Sequence, residues 1–230
     1  MAAIDEVLIE GLPFGSLFDG LSSLGMIYDD AAKVMDAFAA ESGLACPSGC
    51  GRCCESFIPD VLPIEAAWTA AWLIRHEPAR AKHLAISGFS TDAQFPGRCP
   101  FFVAEGNFHC GIYGGRPLIC RLFGFSSVLS KDGESTFTLC RHMPELPDKP
   151  GRSWKGSKLQ SAFGGKVPLM SDFATRIVAI RPSESHERRM LTQALPEALR
   201  RIYFLQGFGN SDAEADPDEP EPEKPLSEAG

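Results

Sequence analysis

The stretch CPSGCGRCC, residues 46–54, decides how this sequence is interpreted, because it holds four of the eight cysteines of the chain. Proline and glycine within it favour a turn over a helix or strand. Thiolates two or three residues apart can face one metal ion without long-range folding, and they favour Zn²⁺, Cu(I) and iron–sulfur clusters. The four cysteines, spaced C-x3-C-x2-C-C, are Cys46, Cys50, Cys53 and Cys54. The stretch therefore predicts a metal or redox centre.

The other four cysteines follow at wider gaps, so that all eight lie within residues 46–140; they are Cys99, Cys110, Cys120 and Cys140. Structural disulfides are the minor interpretation, because the N-terminus lacks the basic and apolar regions of an export signal. Two four-thiolate sites, or one site with spare thiols, both remain open. Because the side chains of adjacent residues diverge, we do not expect Cys53 and Cys54 to bind the same metal ion.

Composition and charge narrow the class of protein further. The 230 residues are 44% hydrophobic and 23% charged, as in ordinary globular proteins. No run of apolar residues is long enough for a transmembrane helix, so we expect a cytoplasmic protein that does not enter the membrane. Most of the net charge of −8 comes from the acidic end of the chain, residues 209–230. The nearly neutral remainder predicts no nucleic-acid partner.

The N-terminal half of the chain alternates helical patterns with turn signals. Apolar spacing predicts a helix over residues 28–40, with Asp29 and Asp30 in its first turn and a stop at Gly43. A second helix is expected to begin at Pro63 and to end before Pro78, where another short helix follows. Its tryptophans, Trp68 and Trp72, are predicted core residues.

The middle of the chain predicts short hairpins. Residues 101–113 form the first, with a turn at 105–107, and residues 126–140 form the second, with its turn at Asp132-Gly133. A short helix is expected over residues 117–123, which would place Cys120 one turn inside it.

The C-terminal part predicts less regular structure. Residues 141–168 indicate a solvated basic loop or, less favoured, an anion-binding loop; its basic residues are Lys149, Arg152, Lys155, Lys158 and Lys166. A helix over residues 183–206 is expected to start at Ser183 or Ser185 and to kink or divide at Pro196.

These patterns together predict an α+β fold, a small metal-stapled domain with short hairpins flanked by helices. The expected units are an N-terminal helical segment (1–45), a cysteine-cluster core (46–140), a basic loop with C-terminal helices packing on that core (141–208), and a disordered acidic tail (209–230).

The cysteine pattern resembles a known family. The segments GCGRCC, CPFF and CGIYGGRPLICRLFG, with a last cysteine beyond them, are similar to the YkgJ-type CxxCxxCC cysteine-cluster family, described as zinc- or iron-chelating. The domain is shared with flagellin lysine N-methylase. The resemblance covers about residues 46–140 and departs in its first gap, which is three residues instead of two, so the role of Cys46 is the least secure. It implies that all eight cysteines are metal ligands.

Side chains beside the ligands are candidates for a supporting role. The resemblance also carries over Tyr113, Arg116, Pro117 and Arg121. Guanidinium groups near Cys120 can offset the negative charge of thiolates and hydrogen-bond sulfurs. Tyr113 is expected to be a packed ring. Two histidines lie next to cysteines and are candidates to replace a thiolate as ligands; they are His109 and His142.

Three functions follow from these features. The first is a metal-binding protein with an iron–sulfur cluster or, alternatively, Zn²⁺. The second, implied by the resemblance, is an S-adenosylmethionine-dependent protein lysine N-methylase, although no G-x-G-x-x-G loop is present. The third is a metal chaperone or redox switch, and this function implies that the chain interacts with a protein partner. Whether the chain is an enzyme stays open. C-x3-C-x2-C is also typical of radical S-adenosylmethionine enzymes, but Arg52 replaces their usual aromatic residue and the chain lacks their βα alternation.

Overall fold

The computed structural model describes residues 3–9, 15–47, 50–89, 97–103 and 110–211. The turn predicted at 105–107, the side chain of His109 and nearly all of the predicted acidic tail lie outside the described residues. Among the described helices, none has both the length and the apolar content needed to cross a membrane.

Helices make up most of the described structure, and the central one is α2. It packs against α1, α3 and α7 and contributes Trp68 and Leu73, which are completely buried. Two prolines set the helix boundaries that the sequence predicts, since α2 begins at Pro63 and α3 begins at Pro78. The helices are α1 (Ser16–Ser42), α2 (Pro63–His76), α3 (Pro78–Ser87), α4 (Leu118–Leu122), α5 (Gly156–Phe163), α6 (Met170–Ile180) and α7 (Leu191–Ser211).

Two small antiparallel sheets complete the fold. Strand β1 (Asp60–Val61) pairs with β5 (Arg189–Met190), and this pair ties the start of α2 to the start of α7. Strands β2 (Val128–Leu129), β3 (Ser135–Thr138) and β4 (Ser153–Lys155) form a sheet in the order β2-β3-β4. The predicted turn at Asp132-Gly133 joins β2 to β3, with Gly133 at a φ of 82°.

The apolar residues form two cores, and α1 contributes to both. The larger core lies between the helices and contains Leu21 and Tyr28 of α1 together with Trp68. The smaller core lies under the β2-β3-β4 sheet, where Phe38 of α1 meets Phe137 at 5.7 Å between ring centroids. The fold is therefore α+β, as the sequence predicts.

The boundaries of α1 correct the first predicted helix. It starts at Ser16, so Asp29 and Asp30 lie in its interior and not in its first turn. The predicted stop is confirmed, because Gly43 adopts the left-handed conformation at φ 71°.

The prediction of a solvated loop over residues 141–168 is wrong. This segment contains β4 and α5, because Trp154 and Leu159 are apolar enough to anchor it in the smaller core. Four of its five basic side chains make contacts at its surface. The ion pairs join Arg152 to Glu145, Lys155 to Asp132 and Glu134, and Lys166 to Glu41, while Lys149 lies 5.5 Å from the ring centroid of Phe163.

The C-terminal helix also differs from its prediction. A short 3-10 turn over Pro182–Glu184 and strand β5 occupy the expected helix start, and α7 begins only at Leu191. Pro196 lies inside α7, which continues on both sides of it, so the helix does not divide there. Helix α6, which no prediction covered, packs against α1.

Candidate metal centre

All eight cysteines are among the described residues, and all carry free thiols. Four of them are linked by interactions with Cys54, and we call them the inner thiols; they are Cys53, Cys54, Cys99 and Cys110, of which the last three lie in or against the larger core. Three others are grouped by their electrostatic interactions with Cys46, and we call them the outer thiols; they are Cys46, Cys50 and Cys140. Cys120, on α4, lies beside the inner thiols.

A single 3-10 turn brings two neighbouring thiols together. The turn runs from Arg52 to Cys54 and is closed by the Cys54 N–H, which donates to the Gly51 carbonyl at 2.8 Å. It places the sulfurs of Cys53 and Cys54 4.0 Å apart. Two sulfurs on one tetrahedral Zn²⁺ are about 3.8 Å apart, given Zn–S bonds of about 2.3 Å. The expected divergence of the adjacent side chains is therefore wrong, because the tight turn overrides it.

Backbone hydrogen bonds carry the other inner thiols to this turn. The Cys99 N–H donates to the Cys54 carbonyl at 2.9 Å. Cys110 then pairs with Phe102 in an antiparallel bridge, which is the described part of the first predicted hairpin. Three segments that are separate in sequence thus meet at one place.

The Cys54 thiol is the hub of the inner group. Its sulfur lies 4.0 Å from that of Cys53, and its proton interacts with the sulfurs of Cys110, Cys53 and Cys99. These contacts raise the pKa of Cys54, since its proton is shared with three acceptors. Through the same contacts, they lower the pKa of Cys53 to about 6 and that of Cys110 to about 7. Cys53 and Cys110 therefore favour the thiolate form that binds metals, whereas Cys54 keeps its proton.

Backbone N–H groups also point at the inner sulfurs. The N–H of Phe101 donates to the sulfur of Cys99, and the N–H of Ile112 donates to that of Cys110. In both cases the donor lies two residues after the cysteine. Hydrogen bonds of this kind stabilise thiolates and tune the metal that they hold.

Arg116 is the cation that faces the inner thiols. Its positive charge lowers the pKa of Cys53, Cys110 and Cys120, although burial of Cys120 outweighs this and raises the pKa of that thiol. The Arg116 guanidinium lies 3.5 Å from the ring centroid of Tyr113. Tyr113 is 51% exposed, so the expected packed ring is wrong, since its main neighbour is this surface guanidinium.

Arg121 is buried and makes different contacts. Its Nε donates to the Arg116 carbonyl at 2.7 Å, and its Nη2 donates to the Gly114 carbonyl. The guanidinium also lies 4.2 Å from the ring centroid of Tyr28. Arg121 thus fixes the backbone that presents Arg116.

Glu65 is a supporting residue that the sequence analysis missed. It is 3% exposed, and its two carboxylate oxygens accept hydrogen bonds from the N–H groups of Leu62 at 3.1 Å and Leu118 at 3.0 Å. One side chain therefore caps both α2 and α4, the helix that carries Cys120. A glutamate two residues after Pro63 is the available sequence signal, because this is the N3 position of a capping box.

The Gly114-Gly115 pair allows the same loop to lie directly on α2. A Cβ at Gly114 would stand 2.5 Å from Nε1 of Trp72, and one at Gly115 would stand 3.0 Å from the Trp72 side chain. The Thr69 hydroxyl donates to the Gly115 carbonyl at 2.8 Å. These glycines are therefore needed for close approach, and the approach sets the position of Arg116.

The outer thiols have a more open environment. Cys46 is exposed, and partial burial of its thiol together with the neighbouring Cys50 raises its pKa to about 11. Cys140 packs against the smaller core, and its carbonyl accepts a hydrogen bond from Arg152 at 2.6 Å. His142, a candidate ligand, accepts a hydrogen bond at Nε2 from Nε of Arg141 at 3.1 Å.

In the described part of the chain, no three His, Cys, Asp or Glu side chains stand in an arrangement that could already hold a metal ion. The inner thiols have the donor chemistry of such a site, but their side chains have not closed around one point.

Comparison with known proteins gives a family similarity for these residues. Residues 45–143 match a family model named CxxCxxCC and described as a putative zinc- or iron-chelating domain. Neither the curated proteins nor the solved structures gave a match. The matched segment contains all eight cysteines together with Arg116 and Arg121. Residues 45–143 are therefore similar to this family, as their cysteine spacing predicts.

Proposed function

We propose that this chain binds one thiophilic metal ion through its four inner thiols. The observation that carries the proposal is their convergence on Cys54 from three separate segments of the chain. A bound ion would join these segments covalently, so that binding energy becomes folding energy. The proposed ligands are Cys53, Cys54, Cys99 and Cys110.

The surroundings of these thiols support the proposal. Four thiolates around a divalent ion leave two negative charges, and Arg116 supplies one positive charge on the same side. The N–H groups two residues after Cys99 and Cys110 offset part of the remaining negative charge. Loss of the shared Cys54 proton and rotation of the thiols complete the site.

The separation of Cys53 and Cys54 favours a single ion. Their 4.0 Å lies close to the spacing on one tetrahedral ion, whereas an iron–sulfur cluster places iron and sulfide atoms between its cysteines and spreads them. We therefore propose Zn²⁺ first. The iron–sulfur cluster expected from the number of cysteines is the second candidate, supported by the extra thiol of Cys120 beside the group.

Metal analysis of the full chain purified without oxygen tests the proposal. We expect about one zinc per chain with no acid-labile sulfide. Iron with matching sulfide, and visible absorption that dithionite bleaches, would identify the bound group as an iron–sulfur cluster instead of zinc. A chain that holds no metal, even after incubation with Zn²⁺ or Fe²⁺ under reducing conditions, would overturn the proposal.

A groove elsewhere in the molecule supports the methylase alternative. It has a volume of about 950 Å³ and lies between α1, α5 and α6, with Phe38, Phe173 and Leu159 among its apolar residues. This volume is in the range of small-molecule sites, and no cysteine lines the groove. Calorimetric titration of the chain with S-adenosylmethionine is the direct test. Absence of binding would remove this alternative and leave the metal proposal intact.

A further inference from the structure

A segment near the start of the chain packs on the same part of α2 as the 113–117 loop, although it lies outside the residues that match the family model, 45–143. We call residues 3–8 the N-terminal clamp, and it begins with a 3-10 turn over Ala3–Glu6. Val7 anchors the clamp, because its side chain is 1% exposed and belongs to the larger core. The clamp is therefore folded onto the helices.

Polar contacts hold the clamp to the end of α2. Nη1 of Arg75 donates to the Leu8 carbonyl at 2.7 Å, and Nε2 of His76 donates to the Glu6 carbonyl at 3.0 Å. The same imidazole nitrogen lies 3.4 Å from Oε2 of Glu6. These contacts are exposed, and chain ends held in this way open at a much smaller cost than the whole chain unfolds. The clamp therefore has a closed and an open state.

Trp72 lies between the clamp and the 113–117 loop. Its ring stacks on that of His76, with 4.5 Å between the ring centroids. The position of a Cβ on Gly114 is 2.5 Å from Nε1 of Trp72 and 3.4 Å from Oε2 of Glu6. The carboxylate of the clamp, the indole of α2 and the backbone of the loop therefore meet at one point.

The same glycine is tied to the surroundings of the inner thiols. The Gly114 carbonyl accepts hydrogen bonds from Nε1 of Trp68 at 3.3 Å and from Nη2 of Arg121. Arg121 also donates to the Arg116 carbonyl at 2.7 Å. Gly114 lies two residues before Arg116 and four residues after Cys110. A displacement of Gly114 would therefore move both the cation and one proposed ligand.

We propose that the N-terminal clamp is coupled to the metal site, so that its closure strengthens zinc binding and bound zinc holds it closed. The proposal rests on the proposed function, since it takes the inner thiols as the zinc ligands. The closed clamp fixes Trp72 against Gly114 and thereby fixes Arg116, whereas the open clamp lets the loop shift away from the thiols. Because coupling between two sites is reciprocal, each effect requires the other.

Hydrogen exchange of the full chain, measured by mass spectrometry with and without Zn²⁺, tests this coupling. The N–H groups of Val7 and Leu8 donate to the Ile4 carbonyl at 3.0 Å and 3.2 Å, so their exchange reports opening of the clamp. We expect bound zinc to slow this exchange at least about fivefold, the lower end of typical coupling between sites. Strand β4 and helix α5 pack on the smaller core, and they should exchange equally in both samples.

A histidine variant tests the reverse direction. His76→Ala removes the ring that holds Glu6 and stacks on Trp72, and the chain should still fold because this side chain is 34% exposed. Zinc affinity, measured by competition with a chromogenic chelator, should fall at least about fivefold. His83→Ala is the matched control, because His83 is exposed on α3, and it should bind zinc as the parent chain does.

The outcomes separate this proposal from the metal proposal. Bound zinc with unchanged exchange in the clamp would overturn the coupling alone, as would equal zinc affinities of His76→Ala and the parent chain. Slower exchange of β4 and α5 to the same extent as the clamp would show general stabilisation, and it would also overturn the coupling. A chain that binds no zinc would overturn the zinc proposal and the coupling with it.

Discussion

The inner and outer thiols differ in what surrounds them, although one turn of nine residues supplies members of both. The inner thiols lie against the helical core, are linked through Cys54, and face the guanidinium of Arg116. The outer thiols lie toward the smaller core and solvent, and the main electrostatic neighbours of Cys46 are other cysteines. Identical side chains are thus given two chemistries by the charge and hydrogen bonds around them.

The comparison teaches that a count of cysteines does not define a metal site. The inner thiols have N–H donors, a cation and a rigid support made by Glu65, Thr69 and the Gly114-Gly115 pair. A thiolate site needs these features because concentrated negative charge in a partly buried place is costly without them. The following predictions test whether this division is real.

Removing the hub thiol should have the largest effect. Cys54→Ser deletes the residue that contacts all the other inner thiols, so zinc affinity should fall by more than about 100-fold, beyond the loss of about 10–100-fold typical of changes behind the ligands. Competition with a chromogenic chelator measures this affinity. Cys46→Ser is the control and should bind zinc as the parent chain does. Equal losses of zinc affinity in both variants would contradict the division into inner and outer thiols.

The next largest effect should come from the support under the inner thiols. Glu65→Ala leaves the buried N–H groups of Leu62 and Leu118 without acceptors, each at a cost of about 1–3 kcal/mol, so the free energy of unfolding should fall by about 2–5 kcal/mol. Denaturant titration measures this. The alkylation rate of Cys46 in the folded state should not change. Faster labelling of Cys46 would show that both groups depend on the same support.

Close packing of the 113–117 loop gives a smaller effect. A Cβ at Gly114 clashes with Nε1 of Trp72, so Gly114→Ala should lower the free energy of unfolding by about 1–3 kcal/mol. Gly207→Ala is the matched control, because its Cβ would meet nothing within 4 Å and alanine favours a helix. Denaturant midpoints compare the two variants. Equal stability of both would show that the loop is not held by this contact.

Substitutions of Arg116 and Arg121 should have different effects, one on zinc affinity and the other on the free energy of unfolding. Arg116→Gln removes the cation facing the inner thiols and should weaken zinc binding by about tenfold at constant pH, with little change in unfolding. Arg121→Gln should instead lower stability, because it removes buried hydrogen bonds to Gly114 and Arg116. Paired zinc titrations and denaturation curves of the two variants test this. The reverse pattern would contradict the assigned roles.

The smallest expected effect is a pH slope from Glu65. Burial raises the pKa of this carboxyl in the folded state, so the folded chain binds more protons than the unfolded chain between the two pKa values. Its contribution to stability is then full below the unfolded pKa and is lost as the pH rises through the folded pKa. The difference in stability between the parent chain and Glu65→Gln, followed from acid to neutral pH, should show this slope. A difference independent of pH would exclude it.

The sequence by itself determined the local features of this protein. Proline and glycine mark the starts of α2 and α3, the end of α1 and the turn at Asp132-Gly133, because these residues restrict or permit backbone angles locally. The cysteine spacing also predicted the similarity to the CxxCxxCC family, since spacing is a property of the chain. The expected solvated loop at 141–168 failed because β4 and α5 form only when Trp154 is buried.

Only the tertiary structure decided which thiols meet. The convergence of Cys53, Cys54, Cys99 and Cys110 depends on hydrogen bonds between segments that spacing alone does not join. The role of Glu65 was invisible for the same reason, because one of its two partners lies 53 residues away. Local rules fix turns and helix ends, whereas contacts across the fold distribute charge, burial and hydrogen bonds, and these determine the chemistry of each sulfur.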